Sequence, residues 1–218
     1  MTALLIDSNT CLLIVDAQYG FMPGGGLPVA GGDAIVPVIN RIAPRFANIV
    51  LTQDWHPADH VSFAINHPGK QPYETITLPY GEQVLWPKHC VQGTPDAALH
   101  AELQVAHAQL IIRKGFHQHV DSYSAFVEAD RRTSTGLAAY LQARGIQHLY
   151  LCGLATDYCV AWSALDARAA GFEATVIEDA CRAIDLNGSL AKAWADMAAA
   201  GVERVTSDQI QGKSAAVA

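Results

Sequence analysis

The sequence predicts an α/β fold, a single domain with about six parallel strands and helices on both faces of the sheet. Three observations carry that expectation. Apolar runs of strand length recur six times, segments with helical spacing fall between them, and glycines stand just past three of those segments. Strands that alternate with helices form a parallel sheet covered on both sides.

The first run is CLLIVDA (11–17), followed by DAIVPVINRIAPRF, where Pro37 and Pro44 work against a regular helix. NIVLTQD (48–54) is the second strand. DAALHAELQVAH has helical spacing and leads into the third, QLIIRKG (109–115), which TGLAAYLQARG follows. HLYLCGLA (148–155) and EATVIEDA (173–180) come next, each with a helical segment behind it, DYCVAWSALDARAAG and SLAKAWADMAAAG. VERVTS (202–207) is the sixth strand. Gly145, Gly171 and Gly201 fall where C-terminal caps belong.

Residues 55–95 break the alternation with a long polar insertion rich in Pro, Gly and His. Structureless loops longer than about 12–15 residues are uncommon unless functional or disordered. Trp55, His56, His60, Trp86 and His89 within it favour function. PGGGLPVAGG (23–32) lacks the glycine spacing of a nucleotide loop and reads as a wide turn at the sheet edge. The chain is expected to form one domain over residues 1–218.

Composition narrows the function classes. Half of the 218 residues are apolar and 16% are charged, enough for a sizeable core and unlike a disordered chain. The net charge is −7, with no basic stripe, which argues against nucleic-acid binding. No apolar run approaches the roughly 18 residues of a membrane span. MTALLIDSNTCLLIVDAQ has no basic start and no cleavage signature, so no signal peptide is expected. Five cysteines without paired zinc-type spacing read as reduced thiols in a cytoplasmic protein.

Ligands of an open parallel sheet bind outside the carboxyl ends of its strands. Three reactive groups fall there: Asp16 after LLIV, Lys114 after LIIR, and Cys159 after LYLCGLATDY. Each alone has an ordinary reading: a loop tether, a solvated lysine, a packed cysteine. Together they suggest a thiol nucleophile. With Thr156 as cap, Cys159 would lie in the first helical turn, where unpaired N–H groups and the helix dipole lower a thiol pKa. Lys114 would lower it further, and Asp16 could take the proton. The same N–H groups suit an oxyanion.

A second constellation is TQDWHPADH (52–60) with WPKHC (86–90). Asp54 and His56 project to one side of an extended segment, and His89 completes a carboxylate and two imidazoles suited to Zn²⁺, Fe²⁺ or Mn²⁺. Surface histidines are common, so spacing alone leaves the metal open. His60 could bind a metal or hold a metal-bound water; the latter is the expectation. Phe21, Trp86 and Tyr123 lie in neighbouring loops and could wall a planar pocket, with Trp55 and Tyr158 as further candidates; packing is the alternative for each.

LLIVDAQYGFMPGGGLPV, TQDWHPADHVSF, LWPKHCVQGT, RKGFHQHVDSYSAF and CGLATDYCVAWSALDA resemble, in order and spacing, the blocks of bacterial nicotinamidases (pyrazinamidases), which are isochorismatase-like cysteine hydrolases. The resemblance runs from about residue 10 to 205 and implies a six-stranded parallel sheet flanked by helices. It implies that Cys159 is the nucleophile, Asp16 its proton acceptor and Lys114 the third triad member. Asp54, His56 and His89 would bind a divalent metal that holds the pyridine nitrogen of nicotinamide. Phe21, Trp86 and Tyr123 would contact the ring. Leu154–Ala155 would be cis, with the N–H groups of Ala155 and Cys159 facing the oxyanion. His60 matches a position that binds metal directly in some members and through water in others.

The expected reaction is hydrolysis of nicotinamide to nicotinate and ammonia, as in NAD salvage. An isochorismatase would need neither the cysteine nor the metal set. A carbamoyl amidase would want guanidinium groups, and strand alternation turns Arg113 away from Lys114. A redox sensor built on Cys159 would leave Asp16 and Lys114 without a role. The sequence does not set the oligomeric state; a homo-oligomer is a common arrangement for a soluble enzyme.

Overall fold

The computed structural model of the protein describes residues 4–211, so the first three and last seven residues of the expected domain lie outside the described residues. Six strands form one sheet: β1 (Thr10–Val15), β2 (Ile49–Asp54), β3 (Leu110–Lys114), β4 (His148–Leu154), β5 (Glu173–Arg182) and β6 (Glu203–Val205). Their order is β3-β2-β1-β4-β5-β6 and every pairing is parallel. All residues of β1 and β2 are buried, so both faces are covered, as continuous apolar runs require.

The helices are α1 (Ile35–Ile42), α2 (Leu137–Ala143), α3 (Ala161–Ala169) and α4 (Ser189–Ala199). Ile35, Val36, Ile39 and Ile42 place one stripe of α1 in the core, and α1 and α3 both pack on β5. Pro44 falls in the 3-10 turn that ends the first helical segment, Ala43–Arg45, as expected, whereas Pro37 does not interrupt α1 because it lies in the first turn, where no intrahelical N–H bond is lost. Gly145, Gly171 and Gly201 all follow helices with positive φ. No helix among the described residues is long and apolar enough to cross a membrane.

One predicted helix does not form. DAALHAELQVAH opens with a short 3-10 turn, Pro95–Ala97, and continues irregularly. Tertiary partners take its backbone groups: Gln18 and Gln53 amides donate to Ala97 O, Tyr19 N–H to Ala98 O, and His100 N–H to Ala17 O. The insertion holds an unpredicted antiparallel hairpin, Thr75–Leu78 with Gly81–Val84, whose surface is largely exposed.

Candidate active site

The strand order reverses between β1 and β4, and the crevice there is where a doubly wound sheet binds its ligand. Asp16 follows β1 directly, in left-handed backbone at φ +46°. Its N–H donates to Thr52 Oγ1 at 3.0 Å, and that hydroxyl donates back to Asp16 Oδ1 at 2.6 Å. Asp54 and Lys114 end β2 and β3 as direct register partners. A residue the sequence reading passed over, Gln18, holds Asp54: its amide accepts the Asp54 N–H at 2.8 Å and donates to Asp54 O at 2.9 Å.

Lys114 is the hub. Its ammonium, fully buried, lies 2.5 Å from Asp54 Oδ1, 2.9 Å from Asp16 Oδ2, 2.9 Å from Ser122 O and 3.4 Å from Cys159 Sγ. A buried charge persists only when paired and hydrogen-bonded, and two carboxylates meet that need. Burial works to lower the Lys114 pKa, but Asp16 and Asp54 outweigh it and keep the ammonium charged. Lys114 meets Asp16 Oδ2 as an ion pair. Among the described residues that buried oxygen has no hydrogen-bond partner.

Cys159 stands in a wide π-type turn, Thr156–Val160, that leads into α3. The flanking position belongs to Ala155, not Thr156, and no side chain caps the turn. The Tyr158 and Val160 N–H groups both donate to Ala155 O, whereas among the described residues the Cys159 N–H between them donates to no backbone oxygen outside its own turn. The Leu154–Ala155 bond is cis.

The expected lowering of the thiol pKa is not what the surroundings produce. Burial pushes the Cys159 thiol well above its ordinary value, Lys114 opposes this, and the Asp16 and Asp54 charges add to it. Burial, reinforced by Asp54, also raises Asp16, to about 6. These surroundings favour a neutral thiol beside Asp16, and the sulfur and the two carboxylates lie within 4.8 Å of one another.

Asp54, His56 and His89 present ligand atoms within 4.8 Å of one another, all three buried. Each histidine uses Nδ1 on a backbone carbonyl, His56 on Gly115 O and His89 on Pro87 O, both at 2.8 Å. For His89 that leaves Nε2 as the free lone pair, whereas at His56 burial is outweighed by the Asp54 charge, which raises its pKa. Both Nε2 atoms face Asp54 Oδ2, at 3.5 and 3.9 Å. Burial and the neighbouring His56 hold His89 down to about 4, so it is neutral and ligand-ready at pH 7. The donor set fits an open three-ligand site for a divalent ion. His60 engages Ser62 Oγ through Nδ1 at 2.7 Å and Val120 O through Nε2 at 3.2 Å, and it also forms, with His56 and Asp121, a second group whose ligand atoms lie within 4.8 Å of one another.

Asp54, His56, His89 and Cys159 line one cavity together with Phe21, Trp86, Tyr123 and Tyr158, whereas Asp16, Lys114 and His60 are not among its lining residues. Trp86 Nε1 donates to Tyr123 Oη at 3.0 Å, and Trp86 meets Tyr158 edge-on. Trp55 is absent from the lining and lies under the Arg113 guanidinium, 3.8 Å away. Sequence reasoning missed Leu27, Asp121, Ser122 and Ile184 on the walls. The YSAF block placed Asp121 and Ser122 near the site, while nothing in the pattern marked Leu27 or Ile184. The glycine-rich turn serves the cavity through Leu27.

An isochorismatase-domain family model matches residues 10–209. A nicotinamidase of Acinetobacter baylyi is 62% identical over 203 residues, 93% of this chain and 95% of the relative. A solved nicotinamidase and pyrazinamidase structure from Acinetobacter baumanii is also 62% identical, with a TM-score of 0.92 over 93% of this chain and 98% of that one. A Pyrococcus horikoshii pyrazinamidase solved in complex with zinc is 36% identical, with a TM-score of 0.74 over 91% and 99% of the two chains.

Proposed function

The chain belongs to the isochorismatase family, and we propose from that premise that it hydrolyses nicotinamide to nicotinate and ammonia through a thioester on Cys159. The observation that carries the mechanism is the single ammonium of Lys114 in reach of Asp16, Asp54 and Cys159 at once.

Asp16, through the oxygen that lacks a hydrogen bond, accepts the Cys159 proton as the sulfur attacks the carboxamide carbon. The tetrahedral oxyanion is held by the N–H groups of Ala155 and Cys159. Asp16 returns its proton to the amine, ammonia leaves, and a thioester remains. Water, deprotonated by Asp16, attacks the thioester carbon; the C–S bond then breaks, Asp16 returns its proton to the sulfur, and nicotinic acid departs, losing its proton to solvent as nicotinate. Lys114 stays charged throughout and stabilises whichever partner is anionic, thiolate or carboxylate.

Asp54, His56 and His89 would hold a divalent ion, whose contribution when bound is to fix the pyridine nitrogen and so orient the ring. Phe21, Trp86, Tyr123 and Tyr158 supply flat walls for that ring. We read residues 55–95 as the metal-binding insertion of one domain, and the five free cysteines as fitting a cytoplasmic protein. No arginine appears among the described lining residues, which disfavours a carbamoyl amidase that must pair a substrate carboxylate.

Ammonia release from nicotinamide by the purified protein and by Cys159→Ala tests the proposal, with metal analysis of the same sample. Loss of roughly 10⁵-fold or more in the variant is expected; equal rates end the mechanism.

A further inference from the structure

Ile184 lies in the segment between β5 and α4, where Asp185 and Asn187 hold left-handed backbone at φ +54° and +53°. Few non-glycine residues adopt that conformation, so something must fix it. One carboxylate does much of this. Asp157 Oδ1 accepts the Ile184 N–H at 3.0 Å, and Oδ2 accepts the Asp185 N–H at 2.8 Å and the Ser189 hydroxyl at 2.5 Å. Asp157 is 6% exposed and stands two residues before Cys159 in the same turn. A single side chain thus ties the turn of the nucleophile to an aliphatic wall of the cavity.

We propose that Asp157 is a positioning residue and that Ile184, the wall it holds, sets which ring substituents the cavity admits. This deepens the amidase reading and rests on it. A charged acceptor that takes three donors at once fixes position more firmly than a neutral one. An asparagine there keeps one acceptor oxygen but turns an NH₂ group toward a donor. The Ile184 segment then loosens while the turn keeps its other contacts. A rigid wall that rejects one extra methyl is worth about tenfold or more in kcat/KM, and a loosened wall gives part of that back.

The test compares kcat/KM for nicotinamide and its 2-, 4-, 5- and 6-methyl derivatives on the metal-loaded protein. The variants are Ile184→Ala, Asp157→Asn, Ser189→Ala and the double variant of the first two. Ile184→Ala is expected to raise the ratio of one methylated amide to nicotinamide by about tenfold. Asp157→Asn should move the same ratio the same way, and should add little once Ile184 is gone, as coupled residues do. A purely structural Asp157 would lower kcat/KM by one factor on every amide, and that result overturns its positioning role. Unchanged ratios in Ile184→Ala overturn the wall. If Asp157→Asn does not fold, Ser189→Ala removes one of the three bonds and must show a smaller shift in the same ratio; no shift overturns the proposal.

Failure of the amidase reading has a different signature, no ammonia from nicotinamide in the wild type. The wall is then read from protection of Cys159 against iodoacetamide by the same amides. Protection by a methylated amide that appears in Ile184→Ala and not in the wild type supports the wall; identical protection in both overturns it.

Discussion

The strand ends and the loops build one cavity by different physics. Asp16, Asp54 and Lys114 come from three adjacent parallel strands, and register makes Asp54 and Lys114 neighbours before any side chain packs. Their charges are buried and have mainly one another as partners. Trp86 and Tyr123 come from loops and are held by side-chain amides and hydroxyls. Gln83, from the unpredicted hairpin, donates to Asp121 Oδ2 at 2.7 Å and Tyr123 Oη at 3.1 Å. Charge that cannot relax into water needs a rigid frame, whereas the shape of a ring can be set by adjustable loops. The strand region should therefore lose chemistry when altered, and the loop region should lose fit.

The sharpest break is Asp16→Asn. It keeps the Thr52 contact but cannot accept a proton, so kcat should fall roughly 10²–10⁴-fold with the fold retained. The wild type gives a companion measurement. Asp16 must be ionised to act, and its pKa is raised to about 6, so kcat/KM should be level above that pH and fall as pH drops through it. A profile with no acid limb near 6 would remove Asp16 from the role of base.

Gly115 is where the two regions meet. Its φ is +63°, its carbonyl accepts His56 Nδ1, and a Cβ there would stand 2.4 Å from the His56 ring. Gly115→Ala should displace that ring and weaken Zn²⁺ binding about 10–100-fold, measured by calorimetric titration of the metal-free protein. Gly93→Ala is the control, with similar backbone strain at φ +74° and nothing within 4 Å of the added atom. If both variants bind Zn²⁺ alike, contact with His56 is not what the glycine protects.

The strand region was the legible one. The central strands read clearly because burial on both faces makes them continuous apolar runs, and residues at run ends fell at the crevice. The failures lie where tertiary contacts override local pattern. DAALHAELQVAH keeps helical spacing, yet Gln18, Gln53 and Tyr19 draw its carbonyls away. Thr156 looked like a cap, but the turn closes on Ala155 O and needs none. The lowered thiol pKa was inferred from the helix end and Lys114; burial, which the sequence does not display, pushes it up, and the charges of Asp16 and Asp54 add to that. Ile184 carries no motif, since its place follows from a carboxylate 27 positions earlier in the chain.

A smaller effect is expected where the loop region is held by side-chain hydrogen bonds rather than by buried ion pairs. Gln83 is 1% exposed and also accepts from the Tyr80 hydroxyl at 2.9 Å. Gln83→Leu leaves Asp121 and Tyr80 without that partner, at a cost of about 1–3 kcal/mol in urea unfolding. Tyr123 loses one of two anchors, so KM for nicotinamide should rise several-fold while kcat stays near wild type. An equal fall in kcat would mean that the loops position reacting atoms as well as the ring, and the contrast between the regions would blur.

The smallest effect belongs to a second lysine. Lys192 pairs with Asp196 one turn along α4, with side-chain exposures of 77% and 47%. Water and salt screen such a pair, and ordering two long side chains offsets the attraction, so Lys192→Ala should change stability by no more than about 0.5 kcal/mol. Lys114→Met removes the same charge from a fully buried site and leaves Asp16 and Asp54 facing each other, for an expected loss of about 3–5 kcal/mol. Urea unfolding of both variants at low and high salt separates the two cases. The small Lys192 effect should shrink further in salt, because its field runs through solvent, while the Lys114 loss should hardly respond. Similar losses in the two variants, or equal salt responses, would mean that the strand-end charges are solvated in solution, and a neutral thiol held beside a raised carboxylate could not then be the resting state.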